Sequence, residues 1–244
     1  MSIENFKKHL IDTLFPKDFT CDICGVETFG SNLCKACAQS VIFNDGLVCP
    51  VCGRRTEVEG LCLECKAKPP VFKRAASALL HEKGGAFLVK KFKNGGGYLK
   101  EYFADLLMKK LSSFPSFDGI VFVPMTKKAK RKRGYNQSEL LAKALSKRTG
   151  VPVIYGAVEK VKDTKEQKSL SSNERAENLK SCFKLGNCDL KGKTILLVDD
   201  VLTTGTTAET ITKLLLKAGA AEVYLITVSS VDYKISTTEL ASDI

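Results

Sequence analysis

Within this 244-residue chain, the residues best suited to chemistry lie in one stretch, 193–207, reading KTILLVDDVLTTGTT. An apolar run over 194–198 leads into two adjacent carboxylates, Asp199 and Asp200, and a Thr/Gly turn follows. The run predicts a buried parallel strand, and the turn predicts the start of a helix over about 208–218. The backbone amides of Thr204, Gly205, Thr206 and Thr207 then point at an anion, backed by the positive end of the helix dipole and by threonine hydroxyls. Gly205 permits a tight turn and a close backbone approach. Carboxylates repel a phosphate, so Asp199 and Asp200 must face another group. The vicinal hydroxyls of a sugar, which donate hydrogen bonds, are the natural partner. A strand end whose acidic residues only cap the next helix would need one aspartate and no threonine run.

A second constellation is built from sulfur. Eight of the ten cysteines fall before residue 66, as the pairs Cys21/Cys24, Cys34/Cys37, Cys49/Cys52 and Cys62/Cys65. Nine residues separate the pairs within each half, and the half repeats after 28 positions, so the unit is duplicated. Four CxxC pairs suffice for two tetrahedral zinc sites of four thiolates each. Sequential pairing within each half is expected from the repeat, with a cross-brace left open by sequence. The N-terminal residues lack the apolar core of a signal peptide and no run reaches membrane-spanning length, so a cytoplasmic chain with reduced, metal-binding thiols is expected, without membrane insertion. Cys182 and Cys188 stand outside the pattern and read as ordinary thiols.

The formal net charge is +11. Eight zinc-bound thiolates would remove eight charges and two Zn2+ return four, leaving about +7. The excess is local: residues 71–148 carry 18 basic and 5 acidic side chains, whereas 149–244 carry 12 and 13. Such a middle third suits a polyanion, either the pyrophosphate of a nucleotide precursor or a nucleic-acid backbone. Phe87, Phe92, Tyr98 and Tyr135 are the aromatics interleaved with it, sparse for base stacking.

The elements that position these residues follow in order. A short amphipathic helix is expected within 1–19, then a metal module over 20–70 closed by Lys-Pro-Pro. From 71 to 231 the pattern is α/β: strands at 74–82, 119–123, 151–158, 191–198 and 222–231, and helices at 85–92, 98–111 and 138–148. Lys90, Lys91 and Lys93 are expected to be exposed, and His81 to be a solvated or hydrogen-bonded strand-end residue. The 119–123 strand empties into a basic loop over 127–133, at the carboxyl edge of the sheet where α/β proteins place ligands. The polar stretch 159–179 has the length of a lid or linker, and 232–244 reads as a tail.

Taken together, the paired CxxC module, the Arg131-x-Arg133-Gly-Tyr-Asn-Gln137 segment, the Gln167, Leu170, Arg175, Asn178 run and VDDVLTTGTT resemble the ComF family, and the last motif resembles the phosphoribosyl pyrophosphate (PRPP) signature of type I phosphoribosyltransferases. The resemblance implies a type I phosphoribosyltransferase-like parallel sheet flanked by helices, with a small N-terminal double zinc ribbon holding two structural Zn2+. By motif position it assigns the ribose hydroxyls to Asp199 and Asp200 and the 5-phosphate to Thr203, Thr204, Gly205, Thr206 and Thr207. It puts Met125, Thr126 and Lys127 in the pyrophosphate loop, with Arg131 and Arg133 as candidate anion ligands and Gln167 to Arg175 as the lid. Mg2+ is expected with PRPP. DNA uptake, contact with single-stranded DNA, and partners such as a competence helicase and other uptake proteins are implied. An active Mg2+-dependent phosphoribosyltransferase in nucleotide salvage and a non-catalytic PRPP sensor are the alternatives, since no residue stands out as a catalytic base.

Overall fold

Four consecutive apolar residues before the acidic pair pack alternately to opposite sides: Ile195 and Leu197 join one buried cluster, Leu196 and Val198 another. A strand buried on both faces belongs inside a parallel sheet. The computed structural model, which describes residues 20–28, 30–162 and 181–232, places it there. In chain order the elements are α1 (Lys35–Ser40), α2 (Leu63–Ala67), β1 (Arg74–Leu80), α3 (Lys83–Lys93), a 3-10 turn (Gly97–Leu99), α4 (Lys100–Leu111) and β2 (Gly119–Phe122). There follow α5 (Lys127–Arg133), α6 (Gln137–Thr149), β3 (Val158–Lys160), β4 (Phe183–Leu185), β5 (Thr194–Leu202), α7 (Thr206–Lys217) and β6 (Glu222–Ser230). The sheet runs β1-β6-β5-β2 with every neighbour parallel. Leu88 and Phe92 of α3, Phe103 of α4 and Leu141 of α6 cover one face. Ile211 and Leu215 of α7, with Val158 and Phe183 of the β3–β4 antiparallel pair, cover the other.

The N-terminal unit is a true duplication. Bridges Thr20↔Glu27 and Val48↔Arg55 repeat after 28 residues, as do the glycines that follow each first pair, Gly25 at φ 76° and Gly53 at φ 67°. The unit is docked on the sheet rather than tethered beside it. Asn44 N–H donates to Ala78 O, Leu80 N–H to Ile42 O and Ala75 N–H to Val51 O, so the segment joining the halves and the start of the second half cover the open edge of β1. Gly53 makes this approach possible: a Cβ there would lie 2.4 Å from Ala75 O.

Three expected elements differ. The strand over 151–158 reduces to a single parallel bridge, Ile120↔Val153, before β3 starts at Val158. Pro152 has no N–H to give a ladder, and Gly156 at φ 68° turns the chain. The basic loop over 127–133 is a helix. The Thr126 hydroxyl caps it by accepting from Ala129 N–H at 3.1 Å, four cations occupy its last turn, and Gly134 at φ 89° ends it. Strand β5 continues past Val198 through both carboxylates to Leu202, because Val201 and Leu202 pair with Ser229 and Ser230 of β6. The helix expected within 1–19, Gln167 and Arg175 of the expected lid, and all of the expected tail but Asp232 lie outside the described residues.

Candidate functional site

Asp199 and the turn after β5 share one recess. It is lined by Asp199, Thr203, Gly205 and Thr207, with Leu225 and Thr227 of β6 behind them. Gly205 takes φ 80° as the residue before α7, a left-handed conformation that L side chains adopt at a cost. The Thr204 and Thr206 hydroxyls lie 2.8 Å apart, and Thr210 Oγ1 donates to Thr206 O at 2.8 Å. The first turn of α7 therefore borders the recess beside a carboxylate.

The segment after α5 holds the acidic pair in place. Asn136 caps α6, its Oδ1 accepting from Ser138 N–H and its Nδ2 donating to Val123 O, both at 3.0 Å. Gln137 Nε2 then donates to Asp200 Oδ2 at 2.6 Å, and Ser138 Oγ to Asp199 Oδ1 at 3.1 Å. From the α3 side Lys93 Nζ pairs with Asp200 Oδ1 at 3.2 Å. Contrary to the expected exposure, Lys93 is half-buried because Asp200 draws it in, and Lys91 is likewise held by Asp22. Arg133 Nη1 donates to Gln137 Oε1 at 2.8 Å, so a polar chain runs from Arg133 through Gln137 to Asp200 and Lys93.

The two carboxylates differ electrostatically. Burial, reinforced by the negative charge of Asp200, pushes the Asp199 carboxyl up to about 7. Asp200 is buried but ion-paired and hydrogen-bonded. His81, at the end of β1, has its Nδ1 2.9 Å from Ser229 Oγ. Burial, then the Lys93 charge, holds it below the ordinary histidine value against the pull of Asp200.

The turn between β2 and α5 lies at the same carboxyl edge, since β2 is the parallel neighbour of β5. Met125 is half-buried there, Thr126 is buried as the α5 cap, and Lys127 and Arg131 are exposed on α5. Of the candidate anion ligands, only Arg133 is tied to the acidic pair. Lys130 and Lys143 both bind Glu139 at 2.7 Å, joining α5 to α6. Burial opposes the Glu139 charge, but these two cations hold its carboxyl below the usual range.

The aromatics expected to interleave with the basic residues are mostly committed. Phe92 is buried, Tyr135 OH donates to Phe92 O at 2.5 Å, and Tyr98 OH donates to Asp22 Oδ1 at 2.6 Å. Tyr155, which the charge pattern did not single out, is 56% exposed. It lies in a groove with Lys100, Lys143 and Lys147, and Lys143 Nζ is 5.8 Å from its ring centre.

The cysteines form two sequential tetrads, Cys21/Cys24/Cys34/Cys37 and Cys49/Cys52/Cys62/Cys65, with the sulfurs of each within 4.8 Å of one another. The cross-brace is thereby excluded. Cys24 and Cys34 Sγ are 3.7 Å apart, as are Cys52 and Cys62 Sγ. Zn–S bonds of about 2.3 Å in a tetrahedron give an S···S edge of about 3.8 Å, whereas a disulfide needs about 2 Å. The tetrads thus fit structural zinc.

Both halves of this module touch the sheet domain. Asp22, inside the first pair, accepts from Lys91 Nζ at 2.9 Å, two residues before Lys93. Arg54, just after the Cys49/Cys52 pair, is buried; its guanidinium binds Glu64 of α2 and donates to Thr203 O. Ser138, Lys93 and Arg54 escaped sequence reasoning, while Gln137 entered it as the end of the Arg-x-Arg-Gly-Tyr-Asn-Gln segment without a site role. Ser138 had a usable signal, since it adjoins that segment. Lys93 looks like its lysine neighbours, and nothing local marks Arg54.

Residues 135–242 match the phosphoribosyl transferase domain, and residues 10–66 match the double zinc ribbon domain. The DNA utilization protein YhgH of Salmonella typhi is 33% identical over 198 residues, 78% of this chain and 87% of that protein. Competence protein F of Haemophilus influenzae is 39% identical over 108 residues, 43% of this chain and 47% of that protein, about half of its length. Competence protein ComFC of Bacillus subtilis is 32% identical over 102 residues, 42% of this chain and 40% of that protein. Fold and motif agree: a type I phosphoribosyltransferase-like sheet flanked by helices carries a double zinc ribbon.

Proposed function

The chain belongs to the ComF family, a competence-related group with a phosphoribosyltransferase-like domain, and on that premise we propose that it binds PRPP or a related phosphoribosyl compound in the recess after β5 and acts in DNA uptake. The observation that carries this reading is the shared lining of one recess by Asp199 and the Thr203, Gly205, Thr207 turn at the N-terminus of α7. Threonine hydroxyls and α7 amides would take the 5-phosphate, and Asp199 would accept from ribose hydroxyls. Asp200 would join it only by exchanging the Lys93 or Gln137 contact for the sugar. The pyrophosphate would then face the turn of Met125, Thr126 and Lys127, with Arg133 behind.

Among the described residues, the converging groups of three or more cysteine, histidine or acidic side chains are the two cysteine tetrads alone. Mg2+ would therefore be held mainly by ligand oxygens, and when bound would neutralise a departing pyrophosphate. His81 engages Ser229 through Nδ1, which favours binding over base-assisted turnover. Equilibrium dialysis with PRPP and Mg2+ tests the site. The protein should bind saturably and a Gly205→Val variant, forced into φ 80°, should lose binding; equal binding by both would remove the loop from the site. Appearance of a nucleotide when bases are added would instead establish the salvage-enzyme alternative.

A second reading rests on Tyr155. Exposed among Lys100, Lys143 and Lys147, it offers a ring for stacking and cations for a backbone, the pairing used on single-stranded DNA. Binding of an oligonucleotide should weaken linearly in log salt, losing about 0.7 in slope per phosphate neutralised. Tyr155→Ala should weaken it without changing that slope, and a salt-independent affinity would contradict the reading.

A further inference from the structure

Arg54 stands out among the buried side chains. Only 5% exposed, it carries a permanent positive charge, and its Nε has no hydrogen-bond partner. Its guanidinium reaches in two directions. One nitrogen meets Glu64, on α2 between Cys62 and Cys65; the other donates to Thr203 O, the first residue of the phosphate turn, 149 positions away. The second nitrogen also lies 3.9 Å from where a Cβ on Gly205 would stand. A buried cation needs a compensating anion. Glu64 supplies one negative charge, but its side chain is 53% exposed and screened by water, so the compensation on the protein side is incomplete.

We propose that Arg54 of the second zinc ribbon is a positioning residue of the phosphate turn: it fixes Thr203 from behind and brings a buried positive charge beneath an anion held by the α7 amides. This inference deepens the phosphoribosyl reading and rests on it for the identity of the anion, but the tie between ribbon and turn stands without it. The path is short and continuous. Cys62 and Cys65, which would hold zinc, flank the α2 residue Glu64, Glu64 orients Arg54, and Arg54 holds the turn. The second ribbon thus backs the turn whose residues line the recess. The first ribbon lacks such a residue, Val26 standing 28 positions before Arg54, so the two halves are not equivalent in this role.

The test uses the zinc-loaded full chain with Arg54→Met, which keeps much of the apolar stem, Arg54→Lys, which keeps the charge, and Glu64→Gln, which leaves Arg54 in place. Zinc content is measured on each. Amide hydrogen exchange over 201–212, without ligand, should speed up in Arg54→Met and Glu64→Gln while exchange in β1 and α4 is unchanged. Ribose 5-phosphate affinity, read by calorimetry, should fall about 10- to 100-fold in Arg54→Met, as when an outer partner of a binding group is removed, and less in Arg54→Lys. Unchanged exchange in variants holding two zincs would overturn the proposal whatever the ligand does. Faster exchange with no ribose 5-phosphate or PRPP binding by the unsubstituted protein would support the tie between ribbon and turn while the phosphoribosyl reading fails. If Arg54→Met does not fold, Arg54→Lys and Glu64→Gln decide.

Discussion

At the scale of single residues, the chemistry turns on Asp199. A ribose hydroxyl needs an ionised acceptor, yet burial and the neighbouring Asp200 charge bring this carboxyl to about 7. Because the folded value is raised, the group's contribution to stability is present below the unfolded carboxylate value and is lost as pH climbs toward 7. Ligand binding has the opposite sign: if the ionised form binds, affinity for PRPP rises about 10-fold between pH 6 and 8, with net proton release below the midpoint. Phosphate groups of the ligand titrate near pH 6, so Asp199→Asn measured in parallel isolates the carboxyl. A pH profile identical in the two proteins would show that Asp199 does not titrate in this range or does not touch the ligand. Asp200 differs because its charge is already neutralised by Lys93. Lys93→Met leaves that buried carboxylate with Gln137 alone, and should destabilise the unliganded protein while freeing an acceptor for ribose.

At the scale of elements, two features of the ribbon lead to predictions. Gly53 meets β1 with φ 67° and no room for a Cβ beside Ala75 O. Gly53→Ala should cost about 1–3 kcal/mol from the backbone conformation alone, more if docking is disturbed. Thermal denaturation should show a drop of several degrees; an unchanged midpoint would mean that the ribbon does not seat as described. The tetrads also differ in access. Cys24 is exposed and Cys34 and Cys37 are half-buried, whereas all four cysteines of the second tetrad are buried. A chromogenic chelator should release zinc in two phases, with Cys24→Ser abolishing the faster one. A single phase, or loss of the slower one in that variant, would contradict this order.

What could be read from the sequence follows the strength of its signals. The runs that became β2 and the first part of β5 were legible because burial on both faces leaves consecutive apolar residues. The 28-residue cysteine repeat implied the tetrads for a similar reason: metal geometry leaves a fixed spacing. Helix α5 was not legible, because a run of cations suits a helix or a solvated loop equally, and the Thr126 and Gly134 caps decide it. The end of β5 was obscured because polar Asp199 and Asp200 interrupt an apolar run that ladder pairing continues. Within the site, the carboxylates and the threonine turn announced themselves by type and spacing. Lys93 and Arg54 gained their places only by packing, and a lysine or arginine drawn inside resembles a surface one in sequence.

At the scale of the whole molecule, polar ties join the ribbons to the sheet domain and α5 to α6. Asp22 joins the first ribbon to α3, Arg54 joins the second to the turn after β5, and Glu139 joins α5 to α6. A ligand in the recess would therefore be contacted by a site that the zinc module helps to build, within a chain whose cationic excess lies on its middle third. The most direct measurement is calorimetric titration of PRPP with Mg2+ into the zinc-loaded protein beside an Asp199→Asn/Asp200→Asn variant. Saturable binding by the first and none by the second is the predicted result. Equal heats from both, or no heat from a folded, zinc-loaded protein, would contradict a phosphoribosyl site at the end of β5.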